Sequence, residues 1–146
     1  MVSRMRYFDN AATTQVLPEV AEAAYAYFCD NYGNPSSLHE LGFEAADALR
    51  TARAAVARGL NCYSSEITFT AGGTESDNIA LLGTLGKRGR NRIVTTAIEH
   101  SAILETCAEA RRRGCEATIV PVDGEGFVDV SALDSVMGDD VSVLSV

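Results

Sequence analysis

The chain of 146 residues carries a formal net charge of −8, and its basic residues form no cluster beyond Arg111 to Arg113. It therefore lacks the positive surface that nucleic-acid or anionic-membrane binding requires. No uninterrupted apolar run approaches the roughly 18 residues that suggest a membrane span, and the N-terminus has no apolar signal-peptide core, so we expect a cytoplasmic protein.

The first part of the chain predicts two helices joined by a loop. Leu17-Pro18 opens a helix with its apolar residues on one face, which should end near Asp30. The turn-forming stretch 31–37 is typical of a loop. A long helix follows, with an apolar stripe from Leu41 to Val56 and an end signal at Arg58-Gly59.

Strands and helices then alternate. The predicted strands are 66–70, 92–96, 117–122 and 141–146, and the predicted helices lie near 75–86, 101–113 and 131–137. This series predicts an α/β fold with a mainly parallel sheet and helices on both faces. We expect an N-terminal segment with helices over 1–60 and the first part of a larger domain over 61–146. The last strand runs to the chain end, which we interpret as truncation, because domain termini usually lie at the surface.

A glycine-rich turn, Thr70 to Ser76, joins the first predicted strand to its helix. Gly72 and Gly73 permit close approach of a ligand, the helix start leaves N–H groups unpaired, and Thr74 adds a hydroxyl donor. The turn has neither the GxGxxG pattern nor a Walker-type Gly-Lys-Ser/Thr, so it predicts a phosphate site of another kind. An ordinary tight turn with Thr74 as the helix cap explains the same residues equally well.

His100, in the segment IEHSA, follows the strand at 92–96 and begins the next helix. Ligand sites in open α/β sheets lie outside the carboxyl ends of the strands, so His100 should share an edge with Gly72 to Thr74. An imidazole there could stack on an aromatic cofactor or move a proton. The alternative is that Glu99 and His100 form an ordinary polar helix start.

Four segments together resemble the cysteine desulfurases: YFDNAATT (Tyr7 to Thr14), YGNPSSLHELG (Tyr32 to Gly42), ITFTAGGTESDN (Ile67 to Asn78) and IEHSAILE (Ile98 to Glu105). Their order and separations are similar to those in the N-terminal part of that family. The resemblance implies the large domain of a type I pyridoxal 5′-phosphate (PLP) transferase and a homodimer. It also implies conversion of L-cysteine to L-alanine, with sulfur passed through an enzyme persulfide to an acceptor protein in iron–sulfur cluster assembly or a related pathway.

The resemblance assigns roles to individual residues. It implies that Gly73 and Thr74 bind the PLP phosphate. It implies that His100 stacks on the pyridine ring and assists proton transfer, which makes His100 both a cofactor-binding and a catalytic residue. Asn10 to Thr14 and Asn34 to His39 match segments that border the active-site cleft, without a definite chemical step, and His39 is compatible with a structural role.

Three functional residues of the family would fall beyond Val146: the Schiff-base lysine, the aspartate that pairs with the pyridine nitrogen and the sulfur-accepting cysteine. Lys87, the only lysine, lies in a glycine-rich basic turn that should be solvated. We therefore expect this chain alone to be inactive and to hold PLP weakly if at all.

The cysteines have neither a CxxC pair nor a zinc-type spacing, so we expect no metal site and interpret them as reduced, mostly buried thiols. They are Cys29, Cys62, Cys107 and Cys115.

Two alternatives stay open. Another class V PLP enzyme, a selenocysteine lyase or an aminotransferase, would keep the cofactor and change the reaction, although YFDNAATT and GNPSS favour the desulfurase. A non-catalytic, stand-alone binding protein derived from the enzyme would hold a phosphate ligand or a partner. A stop codon directly after Val146 would favour that protein, whereas a reading frame that continues would favour the enzyme.

Overall fold

The computed structural model describes residues 6–146 and separates into two units, Met1–Thr68 and Phe69–Val146. In the residues that it describes, no helix combines the length and apolarity needed to cross a membrane.

The first unit contains two helices, α1 (Pro18–Cys29) and α2 (Glu40–Leu60), and a short 3₁₀ turn at Ser64–Glu66. Pro18 suits the first turn of α1 because its fixed φ is already helical and its missing N–H has no partner to lose. After α2, Asn61 adopts the left-handed conformation that commonly ends helices. Both predicted helices and the predicted loop at 31–37 are confirmed.

The loop before α2 packs closely against that helix. Gly42 is buried in the first turns of α2, and a Cβ at this position would lie 2.2 Å from the carbonyl oxygen of Ser37. A Cβ at Gly33 would lie 1.9 Å from the carbonyl oxygen of Leu41. Neither position accepts a side chain without a backbone shift, so both glycines allow the loop to lie on the helix.

The second unit alternates helices and strands. Its elements are α3 (Gly73–Leu82), β1 (Arg92–Thr96), α4 (Ser101–Arg112), β2 (Glu116–Val120), α5 (Val130–Ser135) and β3 (Val141–Ser145). The strands form one parallel sheet in the order β2-β1-β3, with Ile93 of β1 paired with Ala117 on one side and Val143 on the other. The predicted parallel sheet is therefore confirmed.

Helices cover both faces of this sheet. Neighbouring side chains of β1 point to opposite faces, so each face has its own buried cluster. Ile93 packs in a buried cluster with residues of α3 and α4, namely Leu81, Ile103, Cys107 and Ala110. Val94 packs with Val120 and Val141 in a second cluster, against which Ala132, Leu133 and Val136 lie. This arrangement confirms the predicted α/β layers.

The prediction of a strand at 66–70 is wrong. Among residues 6–146, no strand pairs with 67–70, and Glu66 belongs to the 3₁₀ turn. The alternation of Ile67 and Phe69 is typical of a strand, but a strand also needs a neighbour that bonds its N–H and C=O groups. Here the guanidinium group of Arg53 donates to the Ile67 carbonyl instead.

Three predicted elements need smaller corrections to their bounds. Strand β2 ends at Val120 rather than 122, because Pro121 has no N–H to continue the ladder; Val122 makes an isolated antiparallel bridge with Val128. Helix α3 begins at 73 and ends at Leu82 rather than 86, and Gly86 turns the chain with a φ of 76°. Helix α5 begins one residue early, at Val130, and ends at 135 rather than 137.

Candidate functional site

The turn before α3 presents unpaired hydrogen-bond donors. The helix begins at Gly73, with Gly72 as its N-cap and no side chain capping it. Within the described residues, the backbone N–H groups of Gly73, Thr74 and Glu75 and the hydroxyl of Thr74 have no hydrogen-bond partner. The interpretation of Thr74 as a helix cap is therefore wrong, and its hydroxyl is available to a ligand.

Two sets of hydrogen bonds hold this turn in place. The carboxylate Oε2 of Glu75 accepts the backbone N–H of Ala71 at 2.6 Å. The hydroxyl oxygens of Thr70 and Ser76 lie 2.7 Å apart, and they lie 3.2 and 3.3 Å from the carbonyl oxygen of Gly72. Because each hydroxyl has one proton, one of them donates to the other, which in turn donates to the carbonyl. The conformation of the turn is thus fixed by its own side chains.

The two glycines of the turn leave open space beside these donors. A Cβ at Gly72 or at Gly73 would meet no other atom within 4 Å. The packing of the chain itself therefore does not require glycine there, in contrast to Gly42. Open space in front of unpaired N–H groups at a helix start suits an anion with several acceptor oxygens, which is the chemistry of a phosphate group.

His100 lies at the N-cap of α4, and its side chain is exposed. Its Nδ1 accepts the backbone N–H of Ala102 at 3.1 Å. A neutral imidazole whose Nδ1 accepts must carry its proton on Nε2, so Nε2 is the ring's donor. His100 therefore caps the start of α4 through Nδ1, and this bond leaves the ring face and Nε2 available to a ligand.

Thr74 and His100 line the same cleft, between α3 and α4, with a volume of about 410 Å³. A second cleft of about 460 Å³ is lined by the turn itself, including Gly72 and Gly73, and Thr74 lines both. Each volume falls within the range of about 300–1,000 Å³ found for ligand pockets. The fold therefore brings together the residues that the sequence predicted at one edge of the sheet.

Two side chains of this site were missed by the sequence analysis. Asn78 lines both clefts, and its Nδ2 donates to the carbonyl of Thr74 at 2.8 Å. Its position four residues after Thr74 on a helix was the signal available, because such residues share a face. Glu75 was detectable only as an acidic residue in a first helical turn, a pattern that does not reveal its bond to Ala71.

The far end of the first cleft carries an ion-pair cluster. The side chains of Arg113 and Arg112 bond Glu109 at 2.7 and 2.8 Å and hold the pKa of that carboxyl below its usual value. Glu105 lines the cleft between this cluster and His100. Arg112 therefore lines the cleft with its guanidinium group bonded to Glu109.

Lys87 lies in a short 3₁₀ turn, Lys87–Gly89, flanked by glycines in the left-handed conformation. It is exposed and lines neither cleft, which confirms the predicted solvated position.

The cysteines are less buried than predicted. Cys107 alone is fully buried, and desolvation there raises the pKa of its thiol. Cys62 and Cys115 are half-buried, and Cys29 is exposed at the end of α1 because that helix buries none of its residues.

The other segments named from the resemblance lie in the first unit. The Thr14 hydroxyl donates to the carbonyl of Asn10 at 3.3 Å, and the side chain of Asn34 accepts the N–H of Ser36 at 2.9 Å. His39 occupies the N-cap position of α2 without a side-chain cap bond. The local bonds explain the turn-like shapes of these segments, and their assignment to a cleft border stays a prediction.

Comparison with known sequences identifies a family and several cysteine desulfurases that are similar to this chain. The family model Aminotransferase class-V matches residues 6–146. Cysteine desulfurase IscS of Methanosarcina thermophila is 43% identical over 142 residues, which are 96% of this chain and 35% of the relative. Cysteine desulfurase IscS of Clostridium botulinum (strain Kyoto / Type A2) is 41% identical over 147 residues, 99% of this chain and 37% of the relative.

Solved structures agree in fold. A NifS-like protein superposes with a TM-score of 0.84 at 38% identity, covering 94% of this chain and 38% of that protein. SspA, solved in complex with cysteine, superposes with a TM-score of 0.85 at 30% identity, covering 96% of this chain and 41% of that protein. The chain spans between 35% and 41% of the length of these four proteins.

Proposed function

The chain belongs to the aminotransferase class-V family, and from that premise we propose that it is the phosphate-holding part of a PLP-dependent cysteine desulfurase. The observation that carries the proposal is that Thr74 and His100 line one cleft. Identity of about two residues in five to cysteine desulfurases over nearly the whole chain supports the choice of reaction.

The residues of the turn fit the phosphate of PLP. Gly73 and Thr74 would bind it through their backbone N–H groups and the Thr74 hydroxyl, all of which lack partners within the described residues. The positive end of the α3 dipole adds to the attraction. The open space at both glycines leaves room for the phosphate oxygens.

His100 would face the ring of the cofactor. Bound PLP supplies an electron sink for negative charge that develops on the substrate carbon. With Nδ1 bonded to Ala102, His100 can donate a proton from Nε2, whereas it can accept one only at Nδ1, after release of the Ala102 N–H. The ring is therefore arranged as a proton donor or a stacking partner rather than as a ready base.

The whole-protein properties are part of the same proposal. The substrate is L-cysteine, the products are L-alanine and a persulfide sulfur, and the sulfur passes to an acceptor protein for iron–sulfur cluster assembly or related metabolism. The enzyme works as a cytoplasmic homodimer. The lysine, the pyridine-pairing aspartate and the persulfide cysteine of the reaction come from sequence outside residues 1–146.

The test of the proposal is a titration followed by backbone amide NMR. PLP should shift the amide signals of Gly73 and Thr74, whereas pyridoxal, which lacks the phosphate, should not. Thr74→Val, which removes the hydroxyl and keeps the shape, should weaken the response to PLP. Ser131→Ala, which removes an exposed hydroxyl on α5, is the matched control. Equal responses to PLP and pyridoxal at these amides would refute the proposed phosphate site.

The reaction itself needs a second measurement. Sequencing past the codon for Val146 decides whether the reading frame continues. The product of the complete reading frame is then assayed with L-cysteine and with L-selenocysteine in the presence of a thiol reductant, which releases the persulfide sulfur as sulfide. Release of alanine and sulfide from L-cysteine supports the desulfurase. Activity on selenocysteine alone, or transamination without sulfide, would instead favour the other class V reactions.

A further inference from the structure

Glu75 is an acidic residue inside a turn that is otherwise suited to an anion. It lies in the first turn of α3, directly after the proposed phosphate-binding residues Gly73 and Thr74. A carboxylate close to a phosphate repels it, so the side chain works against binding by charge alone. A bond that Glu75 makes within the turn offsets this repulsion.

The offsetting bond is the hydrogen bond that Ala71 donates to Glu75. The carboxylate reaches back over the turn and accepts the Ala71 N–H at 2.6 Å, a charge-assisted bond. On the other side, the Gly72 carbonyl accepts the backbone N–H of Ser76 at 3.2 Å and a proton from the hydroxyl pair of Thr70 and Ser76. Together these bonds occupy the Ala71 N–H and the Gly72 carbonyl, and they leave the backbone N–H groups from Gly72 to Glu75 without a partner among the described residues.

The glycines make such a restraint necessary. Gly72 and Gly73 have no side chains, and no atom approaches their Cβ positions within 4 Å, so packing does not restrict their backbone. Glycine also has more conformational freedom to lose than any other residue. Without side-chain bonds to the turn, phosphate binding would have to order it, and affinity would fall accordingly.

We propose that Glu75 is a positioning residue, which holds the turn through the Ala71 N–H so that Gly73 and Thr74 can donate to the phosphate. This inference rests on the proposed function, because it assigns Glu75 a task at the proposed cofactor site. It separates the geometric effect of the side chain, which favours binding, from its charge, which opposes binding.

Three substitutions distinguish geometry from charge. Glu75→Gln keeps an acceptor oxygen at the same reach and removes the charge, so PLP affinity should equal or exceed that of the wild type. Glu75→Ala removes both, and affinity should fall roughly tenfold or more, as expected for loss of a hydrogen bond to a charged group. Glu75→Asp keeps the charge but is one methylene shorter, so it should bind PLP as weakly as the alanine variant.

The control is Asp77→Ala in the same helix. The side chain of Asp77 makes no hydrogen bond or ion pair with the other described residues, so its removal changes the local charge and leaves the turn intact. PLP affinity of this variant should stay within about twofold of the wild type, since the two charges differ mainly in whether they bond the backbone.

The measurement is PLP titration by amide NMR, with the Ala71 amide as an internal reporter and thermal unfolding recorded for each variant. Weak binding in E75A and E75D, with wild-type binding in E75Q, supports the inference. If E75A does not fold, the contrast between E75D and E75Q decides alone. Equal affinity in E75D and E75Q, or tighter binding in both, would overturn it. If residues 1–146 show no PLP-induced shifts at Gly73 and Thr74, the variants are compared in the product of the complete reading frame, and the absence of PLP binding there would overturn the proposed function as well.

Discussion

The Nδ1 atom of His100 accepts the backbone N–H of Ala102 at 3.1 Å, so the side chain proposed to face the cofactor also caps α4. An N-cap side chain satisfies a backbone donor that has no partner within its helix. The same bond fixes which ring nitrogen carries the proton. Stability and proton transfer are therefore linked at one residue, and substitutions can separate them.

Replacing His100 by Ala should destabilise the chain by about 1 kcal/mol, the usual effect of losing an N-cap side chain. His100→Asn should restore most of that stability, because asparagine is among the best N-cap residues, but neither variant retains the ring. Urea unfolding followed by circular dichroism measures the loss of stability. PLP-induced shifts at Thr74 measure the effect of losing the imidazole ring. Equal stability losses in the two variants would mean that the cap contributes little.

The contacts of Gly42 and Gly59 within α2 lead to opposite predictions for the same substitution. Gly42→Ala places a Cβ 2.2 Å from the Ser37 carbonyl oxygen, and such overpacking typically costs about 1–3 kcal/mol. Gly59→Ala meets no atom within 4 Å and should stabilise by up to about 1 kcal/mol through helix propensity. Urea unfolding of both variants tests the pair. A neutral Gly42→Ala would show that the loop at Ser37 moves freely away from α2.

The sequence predicted the features that depend on local patterns better than those that depend on distant partners. The extents of α2 and β1 followed from dense local patterns, and the shared edge of Thr74 and His100 followed from the geometry of parallel strands. The strand predicted at 66–70 was wrong because pairing depends on a distant partner that local alternation does not specify. The bond between Glu75 and Ala71 depends on a side-chain rotamer, which spacing alone cannot fix.

Acid should weaken the second unit through the pair Arg92 and Asp140. The guanidinium group bonds both carboxylate oxygens, at 2.6 and 2.9 Å, and this hydrogen bonding lowers the pKa of Asp140. A carboxyl with a depressed folded-state pKa stabilises the fold above its unfolded pKa of about 3.9 and loses that contribution as pH falls through the folded value.

Asp140→Asn removes this contribution and supplies the measurement. The difference in unfolding free energy between wild type and D140N should be constant near neutral pH and shrink at pH values below about 4. The control for net charge is Asp139→Asn, which replaces the adjacent exposed acid. The unfolding free energy of this variant should depend on pH in the same way as that of the wild type. If the difference in unfolding free energy stays constant down to the lowest pH, protonation of Asp140 does not contribute to the destabilisation of the fold by acid.

The last prediction concerns Lys87 and the catalytic competence of residues 1–146. A covalent link to PLP requires a lysine amine beside the bound cofactor, and the only lysine of the chain is exposed in a turn that lines neither cleft. Incubation with L-cysteine, PLP and a reductant should therefore release no sulfide above the background of free PLP, and Lys87→Ala should give the same result. Because Lys87 lies outside both clefts, that substitution should also leave the PLP-induced shifts at Gly73 and Thr74 intact. Sulfide release that disappears in Lys87→Ala would show that this amine reaches the cofactor, and the site would then have to be redrawn around the turn at 87–89.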